Sequence, residues 1–242
     1  MPLRFFLLAL IGCGCSVSAA TITIGAPFNR PPYILEDTNS GLELDIIRAA
    51  FDVEGLEVDF KYYSRKRQQL FFAREKVDAA MTVNELSGLD GAWSDEYIQY
   101  QNVAISLAAK KLNLTSLADL GNYSVASFEN AGTTLGPDFM RAVENTIYRE
   151  VSPQVGLNKM LYLNRIDIVV ADRYVFRQLN RQIIENIDWQ QALAEHAIIP
   201  VSGYKLVFHN SVARDRFNQG LAVIRRNGTY QALVDKYLKK AL

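Results

Sequence analysis

The chain carries none of the sequence patterns that mark common catalytic centres. It has no Gly-x-Ser-x-Gly turn, no His-Glu-x-x-His helix and no phosphate-binding P-loop. Its two histidines, His196 and His209, are 13 residues apart, and neither has a cysteine or second histidine at a spacing that suits metal ligands. The sequence therefore predicts no metal site, no cofactor and no catalytic residue, and it favours binding over catalysis.

One group of charged residues is unusual for its position. Three cations, Arg65-Lys66-Arg67, stand where a helix is expected to begin. The helix macrodipole disfavours positive charge at that end, so helix stability does not explain them. Arg30 is a further cation, directly before the Pro31-Pro32 pair. A solvated basic patch is the alternative to a binding role for these side chains.

The first twenty residues have the pattern of an export signal. Arg4 supplies a positive charge, residues 5–11 are apolar, and residues 17–20 are small, as signal peptidase requires. Cleavage near residue 19 or 20 predicts a periplasmic protein. Residues 10–13 also resemble a lipobox, so lipid attachment at Cys13, which would tether the protein to a membrane, is the alternative.

Composition and charge limit the classes of partner. The chain has 242 residues, 49% of them apolar, which is enough for a buried core in one or two domains. Lys and Arg together number 26, as do Asp and Glu. The chain therefore has no net positive charge that would favour nucleic acid as a partner. After the export signal, no apolar run approaches the roughly 20 residues that span a bilayer.

Strand and helix patterns alternate along the remaining chain, which favours an α/β fold with mainly parallel sheets. Helical spacing of apolar residues predicts a helix over 43–54, and a period of two predicts a strand through residues 58–62. Asp172 is predicted to cap a helix that follows a strand over 166–171. Further strands are expected over 21–25, 77–82 and 123–127, and further helices over 68–75, 116–121, 153–164, 211–226 and 230–237.

Two segments of the chain repeat one pattern. In residues 72–81 and 162–171 a basic residue ends a helix, an apolar residue and an aspartate follow, and an apolar strand comes next. Asp78 and Asp167 are the two aspartates. Two similar α/β lobes are the economical explanation, although strands that are entered from helices often look alike.

Six motifs follow one another in a specific order: Pro31-Pro32-Tyr33, Gly41-Leu42-Glu43-Leu44-Asp45-Ile46, Lys76-Val77-Asp78, Trp93-Ser94-Asp95-Glu96-Tyr97, Arg165-Ile166-Asp167 and Asn227-Gly228-Thr229-Tyr230. In order and spacing they resemble the motifs of the bacterial extracellular solute-binding proteins of family 3, which include the periplasmic amino-acid receptors of ABC importers. The likeness spans nearly the whole chain beyond the export signal.

The resemblance implies a type II periplasmic-binding-protein fold, with lobe 1 formed by residues 21–106 and 203–242 and lobe 2 by residues 107–202. It implies a monomer that encloses a small polar ligand, amino-acid-like or an organic acid, and delivers it to the membrane permease of an ABC transporter. Two alternatives remain open. One is a periplasmic dehydratase of the cyclohexadienyl type, with Glu85 or Glu129 as general acid; the other is a sensory binding protein.

The resemblance also implies ligand-binding residues. Thr133 and Thr134 match a turn that binds a ligand carboxylate at a helix start, and Asp172 matches the aspartate that pairs with a ligand ammonium. Each of the three could instead only cap its own helix. The other side chains expected in the pocket, besides cations, are Phe28, Thr82 and Glu85.

The sequence departs from the amino-acid receptors at one point. Those proteins carry an arginine between the first strand aspartate and the Phe-Ser-x-Pro-Tyr motif, and its fork grips the α-carboxylate of the ligand. Here no residue between Asp78 and Trp93 is basic. We therefore expect the ligand to lack the standard α-amino-acid pose. The cations expected to replace that arginine are Arg30, Arg65 and Arg67.

Overall fold

Two sheets, each flanked by helices, make up the described part of the chain. The structure is a computed structural model, and it describes residues 21–183 and 186–239. The expected signal peptide over residues 1–20 and the alternative lipid site at Cys13 lie outside the described residues. Within the described ranges, no helix is long and apolar enough to cross a membrane.

The strands and helices follow the alternation that the sequence predicted. The strands are β1 (Thr21–Pro27), β2 (Glu57–Tyr63), β3 (Ala79–Val83), β4 (Ala92–Trp93), β5 (Ile98–Tyr100), β6 (Asn102–Leu107), β7 (Val125–Phe128), β8 (Tyr148–Val151), β9 (Ile168–Asp172), β10 (Leu193–His196) and β11 (Ser202–Phe208). The helices are α1 (Leu42–Val53), α2 (Arg65–Ala73), α3 (Ala131–Leu135), α4 (Pro137–Val143), α5 (Val155–Tyr162), α6 (Arg173–Leu179), α7 (Ser211–Arg226) and α8 (Thr229–Leu238).

Both sheets are mixed, so the expectation of mainly parallel sheets is wrong in that detail. The first has the order β2-β1-β3-β11-β4, with β5 also paired to β11, and the second has the order β10-β6-β9-β7-β8. The strands of the βαβ units are parallel. In contrast, β6 and β11 run antiparallel to their neighbours. Each of these two strands directly follows a crossing of the chain from one lobe to the other, and it therefore enters its sheet from the opposite end.

The two-lobed α/β architecture itself is confirmed. β6 already belongs to the second sheet, so the chain leaves the first lobe before Asn102. The expected boundary after residue 106 falls inside that strand. The chain has returned to the first lobe by β11, which begins at Ser202 and belongs to the first sheet.

The repeated sequence pattern corresponds to a repeated contact. The Asp78 carboxylate accepts a hydrogen bond from the backbone N–H of Thr23 at 2.7 Å, and the Asp167 carboxylate accepts one from the backbone N–H of Ser124 at 3.0 Å. In each lobe the aspartate thus ties the entry of one parallel strand to the start of its neighbour. The two lobes share this connection, as the sequence indicated.

Each lobe has its own hydrophobic core, and α6 contributes to both. Val175 and Leu179 pack into the core of lobe 1, whereas Phe176 of the same helix packs into the core of lobe 2. The start of α6, at Asp172, therefore lies between the two lobes.

Candidate functional site

Two adjoining cavities lie between the lobes. The smaller cavity has a volume of about 80 Å³, and the site residues predicted from sequence that border it are Arg65, Thr82, Thr133 and Thr134. The larger cavity has a volume of about 320 Å³ and is bordered by the predicted residues Phe28, Arg30 and Arg65. Arg65 borders both cavities, so it lies where the two meet.

Arg65 is the first residue of α2, and its side chain is half-buried in the cleft. Its Nη1 donates a hydrogen bond to the carbonyl oxygen of Thr82 at 2.6 Å. Burial, with a smaller effect from the charge on Arg30, lowers the pKa of Arg65 to about 10, so the side chain stays charged at neutral pH. No carboxylate of the described residues forms an ion pair with it.

Arg30 supplies the second guanidinium of the cleft. Two backbone hydrogen bonds of 2.9 Å between Arg30 and Ile34 hold the turn that carries it. The side chain borders the larger cavity and also a space of only about 10 Å³ that it shares with Asp172. Like Arg65, it has no ion pair with any carboxylate in the described ranges. Partly buried charges without a partner favour an anionic ligand, because desolvating a charge costs free energy unless it is compensated.

Thr133 and Thr134 belong to the short helix α3 of lobe 2. Neither is the residue that caps it, because the N-cap position is Asn130. The backbone N–H groups of Asn130 and Gly132 donate to the two carboxylate oxygens of Glu150, at 2.7 and 2.9 Å. Two donors of this helix start are therefore already used within the protein. The threonine side chains remain at the border of the smaller cavity.

Asp172 caps α6, as the sequence predicted. Its Oδ1 accepts hydrogen bonds from the backbone N–H groups of Tyr174 and Val175 at 2.9 and 3.0 Å. Its Oδ2 accepts from the hydroxyl of Tyr33 at 3.1 Å and from the N–H of Gln101 at 3.0 Å. Burial raises the pKa of Asp172 to about 6, although these donors act in the opposite direction.

Glu43 is a buried carboxylate near the cleft to which the sequence analysis gave no role. It is 0% exposed and accepts hydrogen bonds from the hydroxyls of Tyr97, Tyr100 and Thr82. Burial raises its pKa, against the effect of these three donors and the charge on Arg30. A signal was present, since Glu43 shares a helix face with Ile46, where an apolar residue is expected.

Besides Asp172, which borders only the space of about 10 Å³, two predicted residues lie outside both cavities. Arg67 is exposed and contacts the ring of Phe71, with its guanidinium carbon 5.8 Å from the ring centroid. Two residues along an α-helix correspond to a rotation of about 200°, so Arg67 points away from the cleft that Arg65 faces. Glu85 forms an ion pair with Lys205 at 2.5 Å, and its side chain is 60% exposed.

The environment of Glu85 also bears on the dehydratase alternative. The hydrogen bond from Lys205 lowers the pKa of Glu85. A general acid must hold its proton near neutral pH, which requires the opposite shift. Glu129, the other candidate acid, is exposed and borders the larger cavity. Among the described residues, no group of three His, Cys, Asp or Glu side chains is arranged to hold a metal ion.

The sequence was compared with models of protein families and with curated proteins. The family model described as bacterial extracellular solute-binding proteins, family 3, matches residues 22–240. The comparison with curated proteins gave no match.

Solved structures with the same fold cover nearly the whole chain. The GluR0 ligand-binding core in complex with L-glutamate has a TM-score of 0.74 at 17% identity, covering 91% of this chain and 99% of that chain. A histidine kinase sensor domain with similarity to periplasmic binding proteins has a TM-score of 0.74 at 19% identity, covering 91% and 96%. An ABC uptake transporter substrate-binding protein from Streptococcus pneumoniae with bound histidine has a TM-score of 0.70 at 17% identity, covering 90% and 92%. At these identities the likeness shows the type II two-lobed fold, and function has to be argued from the site.

Proposed function

Because the chain belongs to the bacterial extracellular solute-binding proteins, family 3, we propose that it captures a small anionic solute between its two lobes for an ABC-type importer. The export signal expected in residues 1–20 supports a periplasmic location for this role. Solved relatives of the same fold bind glutamate and histidine, which supports a small polar ligand of similar size.

The main support for the proposal is that Arg65 lies in the cleft without a carboxylate partner. Its guanidinium borders both cavities, donates to a neutral carbonyl oxygen and has no carboxylate partner in the described ranges. A guanidinium presents five N–H donors in a planar fork that fits a carboxylate. The ligand carboxylate would therefore supply the partner that the protein leaves out.

Residues of lobe 2 complete the proposed anion site. Thr133 and Thr134 border the smaller cavity from the side opposite Arg65, and hydroxyl groups can donate hydrogen bonds to a carboxylate. Since the charge comes from lobe 1 and these hydroxyls from lobe 2, a ligand held by both would favour the closed arrangement of the lobes.

The test is a binding experiment on the protein purified after export. A thermal-shift screen of small carboxylates identifies the compound that raises the melting temperature most. That compound is then titrated by calorimetry into the wild type, Arg65→Ala and Arg67→Ala. We expect Arg65→Ala to weaken binding by about 10- to 100-fold, the usual value of a hydrogen-bonded charge.

Arg67→Ala is the matched control, because it removes the same side chain from the same helix on the exposed side. It should change the affinity by less than about threefold. The proposal is wrong if no carboxylate stabilises the protein, or if Arg65→Ala binds the selected compound as tightly as the wild type does.

A further inference from the structure

The carboxylate of Asp172 has no free acceptor site for a ligand. A carboxylate offers about four lone-pair positions to hydrogen-bond donors. In Asp172 all of these are taken, by two backbone N–H groups at Oδ1 and by one N–H and one hydroxyl at Oδ2. Asp172 is only 3% exposed.

The donors to Asp172 are themselves fixed in place. Tyr33 is 1% exposed, and its ring stacks on Tyr100 with 3.9 Å between the centroids. Gln101 lies in the segment that joins the lobes, between β5 and β6. A ligand ammonium that displaced either donor would leave a buried polar group without a partner, which is costly.

Two other carboxylates lie near the cleft, and neither replaces Asp172 well. Glu43 is 0% exposed, accepts from three hydroxyls and borders neither cavity. Glu129 borders the larger cavity but is exposed. Ion pairs at exposed positions contribute little, because water and salt screen them.

The larger cavity suits a ligand that carries an apolar group. Its lining is mixed: polar residues border part of it, and the apolar residues Phe28, Tyr63, Pro153, Val155 and Leu179 border the rest. Phe28 is 51% exposed, so a ligand in this cavity would cover apolar surface that now faces water. Arg65, at the border with the smaller cavity, lies where a carboxylate at one end of such a ligand would be.

From these observations we infer that the solute is a carboxylic acid with an apolar body and no ammonium group, held by Arg65 and not by Asp172. This inference rests on the proposed function and names the ligand class of the same cleft. Asp172 then has a structural role, in which it fixes the start of α6 between the lobes.

Matched pairs of acids test the inference. The exported protein is titrated by calorimetry with 3-phenylpropanoate and phenylalanine, and with 4-methylpentanoate and leucine. Within each pair the size and the apolar body are the same, and only the ammonium group differs. We expect the acid without the ammonium group to bind at least tenfold more tightly in at least one pair. Tighter or equal binding of the amino acid in both pairs would overturn the inference.

Two variants show which carboxylate is responsible. Tyr33→Phe keeps the ring but frees one acceptor position of Asp172, so the preference against the ammonium group should shrink several-fold. An unchanged preference in Tyr33→Phe would mean that the filled Asp172 does not set it, and would count against the inference. Glu129→Gln should leave the weak amino-acid affinity unaltered; if an amino acid binds tightly and loses that affinity in Glu129→Gln, the ammonium site is Glu129 and the inference is wrong.

The outcomes separate this inference from the proposed function. If both members of a pair bind, if both depend on Arg65 and if the amino acid is the tighter, the anion site stands and only the ligand class fails. If neither member of either pair binds, the inferred ligand class fails; if, in addition, no other carboxylate raises the melting temperature, the proposed function fails with it.

Discussion

The two lobes are built alike and yet offer the cleft different chemistry. In both, a residue in the left-handed conformation follows a helix. This residue is Glu75 (φ 51°) in lobe 1 and Asn164 (φ 54°) in lobe 2. The aspartate three positions later binds the start of the neighbouring strand. The residue thirteen positions before that aspartate is Arg65 in lobe 1 but Gln154 in lobe 2.

The ends of the equivalent strands differ as well. Five positions after the aspartates, β3 ends at Val83 and β9 ends at Asp172. Lobe 2 therefore has a charge where lobe 1 has none, but it uses that charge internally to cap α6. The scaffold contacts thus repeat between the lobes, whereas the positive charge that faces the cleft without an ion pair, on Arg30 and Arg65, comes from lobe 1.

The largest expected effect is the loss of stability when Asp172, whose carboxylate is hydrogen-bonded within the protein, is replaced. Replacement by Ala removes the helix cap, at about 1 kcal/mol, and leaves the buried donors Tyr33 and Gln101 without an acceptor, at about 1–3 kcal/mol more. We expect Asp172→Ala to lower the free energy of unfolding by about 2–4 kcal/mol in urea titrations. The control Asp138→Ala, which removes an exposed carboxylate from the first turn of α4, should cost less than about 0.5 kcal/mol. A loss below 1 kcal/mol in Asp172→Ala would contradict a structural role.

A smaller effect should follow from the titration of the same group. Because burial raises the pKa of Asp172 to about 6, the folded protein binds more protons than the unfolded chain between about pH 4 and pH 6. The free energy of unfolding should then fall by about 2–3 kcal/mol as the pH rises through that range.

Asp172→Asn keeps a good capping residue and removes the titration, so its stability should fall less over the same range. Glu43, whose pKa is also raised, contributes to both proteins equally. Asp167 and Asp119, whose pKa values are lowered, act in the opposite direction and at lower pH. Equal slopes for the wild type and Asp172→Asn between pH 4 and pH 6 would refute the assignment.

The smallest expected effect tests how far the lobes are alike. Asp167 also accepts from the hydroxyl of Ser124 and pairs with Lys110, whereas Asp78 is exposed. Urea titrations should show that Asp167→Ala costs about 1 kcal/mol more than Asp78→Ala. Equal losses would mean that the shared strand contact accounts for the whole contribution of each aspartate.

Local patterns in the sequence predicted most of the elements. The helix expected over 43–54 is α1 (Leu42–Val53), and the alternating residues 58–62 lie in β2 (Glu57–Tyr63). Such patterns depend on neighbours a few residues apart, and the sequence contains them in full. The direction of β6 and β11 was missed because it depends on the side from which a distant segment enters each sheet.

The candidate site was predictable only in part, for the same reason. Arg65 was a candidate because three cations at a helix start conflict with the macrodipole, and it borders both cavities. Arg67 lies outside both cavities and over the ring of Phe71, because the rotation of α2 against the sheet depends on tertiary packing that local patterns do not contain. Glu43 was missed because its partners, Thr82, Tyr97 and Tyr100, are 39 to 57 residues away.

By itself, then, the sequence determined the alternation of strands and helices and the cap at Asp172, which follow from short-range periodicity and capping. Its motifs also resembled those of the family whose model matches residues 22–240, and that resemblance implied the two-lobed fold. Only the tertiary structure decided which charges face the cleft unpaired. Asp172 reaches Tyr33 over 139 residues and Gln101 over 71, and these contacts exhaust its acceptors. Within the part of the chain that the structure describes, Arg65 donates a hydrogen bond to a carbonyl oxygen of β3 and forms no ion pair. Whether a charge is compensated depends on what the folded chain brings to it, and that is set by long-range packing.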